Sequence, residues 1–301
     1  MNRRFCSVVV GLILLGSIIG CDTATPLAPT AVPTTAPTGS RVPPTSNANA
    51  IAIAGYVRDR AWRQLIGVRI EVLDGPDAGL STFTDAQGEF RLVGEFDSTT
   101  RFRASSPQHR DMISALPPRC DRCNPNWWIH FSLETTEPSR DLTGSYSVTF
   151  VADPACTTLP EEFRQRSYQA TVQPVGPDNS TQLNVSVRGG SFLTGYDQFV
   201  IGVAGDSFAA ILGDLHGSPG VAERLNQMTV LGFEGMAEAS VESSNVSIVA
   251  RLDGVVSYCE LLGEPAARYA CSSESTAARV LCTSRNHQLI LERVTSASQS
   301  R

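Results

Sequence analysis
The 301-residue chain contains no lysine, and its 24 basic residues are all arginine, with no run longer than Arg3-Arg4. A nucleic-acid partner needs a concentrated basic footprint, so that class is excluded, as is extra polybasic contact with a membrane surface. Histidine is also scarce. His109, His130, His216 and His287 are scattered, and none is paired at the i, i+4 spacing of a helical zinc motif. There is no P-loop and no Gly-x-Gly-x-x-Gly dinucleotide fingerprint. The apolar run Val8 to Ile19 is about a dozen residues, short of the roughly 20 that a membrane-spanning helix needs. Long helical periodicities are few. Val, Thr, Ser and Gly fill short alternating segments instead, and these predict a mostly β protein with no cofactor and no metal site.

What is present begins with a leader. Asn2-Arg3-Arg4 is a basic start, Val8 to Ile19 is the apolar core of a signal peptide, and Ile18-Ile19-Gly20-Cys21 closes it. This closing block resembles the lipobox of bacterial lipoproteins. The resemblance implies that residues 1–20 are removed and that Cys21 carries lipid and anchors the chain. The expected localisation is the cell envelope, on the outer face of the cytoplasmic membrane or on the outer membrane. Losing Arg3 and Arg4 would leave a formal charge of about −8. Residues 21–50 are Thr, Pro, Ala and Ser with almost nothing bulky, and read as a disordered Pro/Thr-rich tether.

Residues 51–136 alternate as a first β module. Strands are predicted at Ile51 to Val57, Gly67 to Val72, Ser81 to Thr84, Glu89 to Leu92, Thr100 to Ala104 and Trp127 to Leu133. Asp74, Asp77 and Asp85 fall in turn segments and are read as turn caps, the closing Glu of an EF-hand being absent. Gly55, Val57 and Asp59, then Gly67, Val68, Ile70 and Val72, then Thr84, Asp85, Gly88, Phe90 and Leu92 are similar to the carboxypeptidase regulatory-like domain. That resemblance implies a transthyretin-like β-sandwich, usually an accessory module, with no catalytic residues. The chain departs from the family over Ser105 to Asn126, where Cys120-Asp121-Arg122-Cys123 sits. A local Cys120–Cys123 disulfide is the favoured reading of that pair, with a dithiol or half a metal site as the alternative. Trp62, Trp127 and Trp128 are the only tryptophans. Adjacent Trp127 and Trp128 must point to opposite faces of a strand. An exposed one could stack on a sugar, as in carbohydrate-binding modules; the competing reading is a Trp that covers the sandwich edge or a domain junction.

Residues 141–295 read as a second module of short strands, an antiparallel barrel or sandwich. A short helix is predicted at Leu159 to Arg164. Paired strands are predicted at Gln227 to Phe233 and Met236 to Val241, and at Val246 to Leu252 and Val255 to Leu261, with Asp253-Gly254 as a tight turn. Gly144-x-Tyr146-x-Val148-Thr149-Phe150, Cys156, Leu159-Pro160, Arg166-x-Tyr168, and Cys282 before His287 and Leu291-Glu292-Arg293 resemble an uncharacterised, lipocalin-like domain of bacterial lipoproteins, which implies no known activity. The cysteines Cys156, Cys259, Cys271 and Cys282 allow three pairings. Cys156–Cys282, tying the first strand's exit to the last strand, and Cys259–Cys271 are preferred. Gly205-Asp206-Ser207-Phe208 resembles the nucleophile block of GDSL esterases. That family also needs an Asp-x-x-His, and Ser284-Arg285-Asn286-His287 lacks the acid. A nucleophile without an oriented base is inert, so a hairpin turn is the reading adopted.

The expected function is therefore that of a non-enzymatic envelope lipoprotein for binding or scaffolding. It would be held to the membrane by its lipid anchor, with a polysaccharide or an envelope protein as partner. The alternatives are a lipocalin-like carrier of a small apolar ligand, and an esterase using Ser207.

Overall fold
Alternating apolar residues build two hydrophobic cores in the computed structural model. The described residues are 50–116, 127–176, 182–213, 220–241, 247–262, 271 and 276–294. Residues 1–49, Cys21 among them, and Cys120, Cys123 and His216 lie outside them.

The first core is a sandwich. One sheet has the order β4-β1-β7, formed by β1 (Ile51–Asp59), β4 (Glu89–Gly94) and β7 (Trp127–Leu133), with β1 antiparallel to β4 and parallel to β7. The other has the order β3-β2-β5-β6, from β2 (Arg69–Val72), β3 (Ser81–Phe83), β5 (Arg101–Ser106) and β6 (His109–Ala115). Ile53, Val57, Ile70, Phe90, Phe102 and Phe131 fill the space between them. At Gly55 an added β-carbon would stand 2.0 Å from the Ile129 carbonyl oxygen and 2.7 Å from the Phe90 ring, so only glycine lets β1 and β7 close over that ring. The sequence reading misses β6 because its Ser105 to Ala115 stretch forms an exposed edge with no buried stripe to read. Of the three aspartates read as turn caps, Asp85 caps its own turn, whereas Asp74 and Asp77 bind backbone 27 and 18 residues away. Asp74 accepts the Arg101 N–H at 2.8 Å, Asp77 the Glu95 N–H at 2.6 Å, and Asp85 the Gln87 and Glu89 N–H groups at 2.9 Å.

The second core is an eight-stranded antiparallel barrel. It runs β8 (Gly144–Val151), β9 (Gln165–Pro174), β10 (Gln182–Arg188), β11 (Phe192–Ala204), β12 (Ser207–Leu212), β14 (Thr229–Ser240), β15 (Ser247–Leu261) and β16 (Thr276–Arg293). The ring closes where β16 returns to β8, Leu291 opposite Val148. β13 (Val221–Arg224) occupies the same gap between β11 and β14 as β12 and continues its direction, so the two make one wall position interrupted by residues 213–220. Inward residues alternate along β8, β9, β10 and the first half of β15 and build the interior core, with Phe150 stacked on Phe233 at 4.4 Å and Phe199 edge-on at 6.3 Å.

Three sequence expectations are corrected here. The segments at 227–241 form one strand, β14, and those at 246–261 form one strand, β15. Asp253-Gly254 is a bulge within β15 and not a turn. Gly235, with φ 137°, lies opposite Gly254, and a β-carbon on either would come within 2.3 Å of the other strand's backbone, so the pair of glycines bends the ladder without ending it. The predicted helix is only a three-residue 3-10 turn, Glu161–Phe163.

Two disulfides are formed among the described residues, Cys156–Cys282 and Cys259–Cys271, each with 5.7 Å between Cα atoms. The first ties the segment that follows β8 to β16. From Ser46 onward the chain is one compact unit, and the β1–β2 loop lies on the outer wall of the barrel. Ala61 is fully buried there with Ala204 and Ala209.

Candidate functional site
Strand alternation puts Ala52, Ala54, Tyr56 and Arg58 of β1 on the outer face of the three-stranded sheet, and Trp128 and His130 of β7 beside them through the parallel register. Ala54 is the partner of Trp128, and the small neighbour leaves the indole uncrowded at 41% exposure. Tyr56 meets Trp128 edge-on at 6.3 Å and lies 4.2 Å from the His130 ring. The Arg58 guanidinium sits 4.4 Å over the Tyr56 ring, a cation–π contact. Burial, and then the charge of Arg58, hold His130 below the ordinary histidine range, so it is neutral at neutral pH. Exposed Arg91 and Val93 extend the face across β4, opposite Ala54 and Ala52. The result is an open aromatic platform whose three rings are inclined to one another at 52° to 65°, with cationic groups beside them.

Of the three tryptophans singled out in the sequence, Trp128 alone is seen on this platform. Trp62 is half-buried at the junction, packed with Ala61, Ala204, Ala209 and Met236. It holds φ 57°, which is costly for a bulky side chain and is sustained by the ring's burial against the wall and by the Asp59 turn. In that turn the Asp59 carboxylate accepts the N–H groups of Ala61 and Arg63. Trp127 pairs through its backbone with Ile53, and its side chain lies outside the described set. Tyr56, His130 and Arg58 were not legible as partners, because the parallel β1–β7 register that joins them spans over 70 residues.

The other sequence candidates stand apart from the platform. Ser207 and His109 both line a junction cleft of about 330 Å³, together with Arg63, Glu137 and Asp206. Asp206 is paired with Arg140 at 2.7 Å, His109 Nδ1 lies 3.3 Å from Ser106 Oγ, and no hydrogen bond among the described residues joins Ser207 to a histidine. His287 is fully buried in the barrel. Its Nδ1 accepts the Asp153 N–H at 2.9 Å and its Nε2 faces the Cys282 carbonyl at 3.2 Å, which makes Nε2 the protonated nitrogen. Ser284 donates to the Asp153 carboxylate, so serine, acid and histidine meet in the wrong order for a nucleophilic relay. Cys156, Cys282 and His287 converge, but the sulfurs are bonded to each other and both ring nitrogens have partners.

His287 carries a pH prediction. Burial lowers its pKa below the ordinary histidine value of about 6.5, so the unfolded chain takes up the proton first. Stability is then complete above about pH 6.5 and falls as pH drops below it, by up to about 1.4 kcal/mol per pH unit. The expected result is that His287→Gln flattens the urea-midpoint profile between about pH 6.5 and 5.5. An unchanged slope would remove His287 as its source.

No protein-family model matches the chain, and no curated protein matches it.

Proposed function
We propose that the protein is a membrane-tethered, non-catalytic binding protein of the cell envelope, and that the Tyr56–Trp128–His130 platform is its contact surface for polysaccharide. The lipobox-like Ile18-Ile19-Gly20-Cys21 and the Pro/Thr-rich tether support the location. The observation that carries the binding role is the uncrowded Trp128 indole on an open sheet face with Tyr56 and His130 at its side. Sugars present C–H faces to aromatic rings, and an exposed indole on an open sheet face suits an extended chain more than a small enclosed ligand. Arg58 and Arg91 on the same face favour glycans that carry carboxylates.

The carrier alternative needs space inside the barrel, and the stacked Phe150 and Phe233 take up part of it. The platform reading is therefore preferred. Pull-down on insoluble acidic and neutral glycans should retain the wild-type protein and lose about 90% of it on Trp128→Ala, the loss expected from removing a contact of about 1.4 kcal/mol. Trp62→Ala should lower stability without selectively abolishing retention. If wild type and Trp128→Ala stay in solution alike, the sugar reading fails.

A further inference from the structure
The barrel carries a buried ion pair at one end that neither its folding nor the platform accounts for. Glu223, on β13, occupies an inward position two residues after buried Val221 and keeps only 7% of its side chain exposed. Arg166 meets it with a fork, Nε to Oε2 at 2.9 Å and Nη2 to Oε1 at 2.6 Å, and the Tyr168 hydroxyl donates to Oε2 at 2.8 Å. Burial, and then the Glu223 carboxylate, push the Tyr168 hydroxyl well above its ordinary range, so it remains a donor. These groups sit at the end of a barrel otherwise filled by Phe150, Phe199 and Phe233. Apolar side chains of the same volume would serve stability there as well or better.

The pair forms the floor of an open cleft of about 570 Å³, walled by Phe163, Arg224 and Leu225. Gly190 borders the same cleft, and a β-carbon there would stand 3.2 Å from Glu223 Oε1 and 3.0 Å from the Phe192 ring, so the absent side chain keeps the floor open. Arg166 uses only Nε and Nη2 on Glu223. Its Nη1, and the half-buried Arg224 guanidinium, have no hydrogen-bond partner among the described residues. Arg166 holds the Glu223 carboxylate and Arg224 lines the same cleft, so the lining carries two arginines and one carboxylate in a chain whose formal charge is −6.

We propose that this barrel-end cleft is a second binding site, separate from the platform, and that it takes a small oxyanion, a phosphate or carboxylate group, on Arg224 and the free Nη1 of Arg166. Glu223 and Tyr168 fix the Arg166 plane so that its remaining edge is presented without a loss of rotamer freedom on binding. Phe163, stacked on Tyr258 at 5.5 Å, and Leu225 offer apolar contact to whatever body the oxyanion carries.

Titration calorimetry on the whole protein at fixed ionic strength tests this, with inorganic phosphate, hexanoate and neutral glycerol as the three probes. Saturable binding of phosphate or hexanoate is expected, weakened at least tenfold by Arg224→Gln and unaffected by Trp128→Ala. Phosphate alone would assign a free or headgroup phosphate, and hexanoate alone an organic acid with an apolar body. Arg166→Lys keeps the charge but loses the fork, and should weaken both. If it does not fold, Arg224→Gln decides by itself. Absence of saturable binding by both anions, equal binding of glycerol, or unchanged affinity in Arg224→Gln would overturn the proposal. The glycan pull-down is independent of each of these outcomes.

Discussion

Replacing Cys156 and Cys282 together by alanine is expected to cost about 5 kcal/mol, enough to unfold most of the population of a marginally stable protein at physiological temperature. The two cysteines are 126 residues apart, so their bond closes almost the entire barrel module into one loop and removes a large part of the unfolded chain's freedom. Cys156 is also buried at 1% exposure, and its segment packs Leu159 onto the barrel core. The matching replacement at Cys259 and Cys271, only 12 residues apart, should cost about 3 kcal/mol. Urea unfolding of the two double variants beside the wild type checks both values. Equal midpoints for all three proteins would mean that neither bond constrains the unfolded chain, and the larger loss falling on Cys259 and Cys271 would reverse the loop-length ordering.

The second large effect is expected at Gly202, where even alanine should cost about 3 kcal/mol. A β-carbon there would lie 2.1 Å from the Arg60 carbonyl oxygen, 3.1 Å from the Trp62 ring and 3.2 Å from the Ala61 Cα. Two of those neighbours are backbone atoms that cannot rotate away. The β1–β2 loop must therefore lift from the barrel wall, exposing Ala61, Ala204 and Ala209, or the wall must distort. Calorimetry of Gly202→Ala should show the sandwich and barrel melting separately, and limited proteolysis should cut between Glu134 and Asp141. A single transition at the wild-type temperature would show that the loop is not what couples the two cores.

Much of the strand content was legible because buried and exposed positions alternate: Tyr146, Val148 and Phe150 on β8, and Phe90 and Leu92 on β4, announce their inward face. Alternation fails where a strand is exposed or bent. β6 has no buried stripe, and β14 and β15 pass through Gly235 and Gly254, which carry turn chemistry in sequence but stay paired in the fold, the bulge falling between β15 and β16. β13 is too short to announce itself. On the platform, only Trp128 carried a signal. At the barrel end, Glu223 was legible at most as an acid two residues after an inward valine, and nothing marked Arg166, 57 residues earlier, as its partner.

Local order in the chain determined which segments become strands with one face exposed, because that pattern depends on residues within a few positions of each other. Tertiary structure alone decided how those strands close into a barrel, which tryptophan is left open and which covers a junction, and where Arg166 meets Glu223. Those outcomes depend on register between segments far apart in the chain, where a shift of one residue turns every side chain to the opposite face.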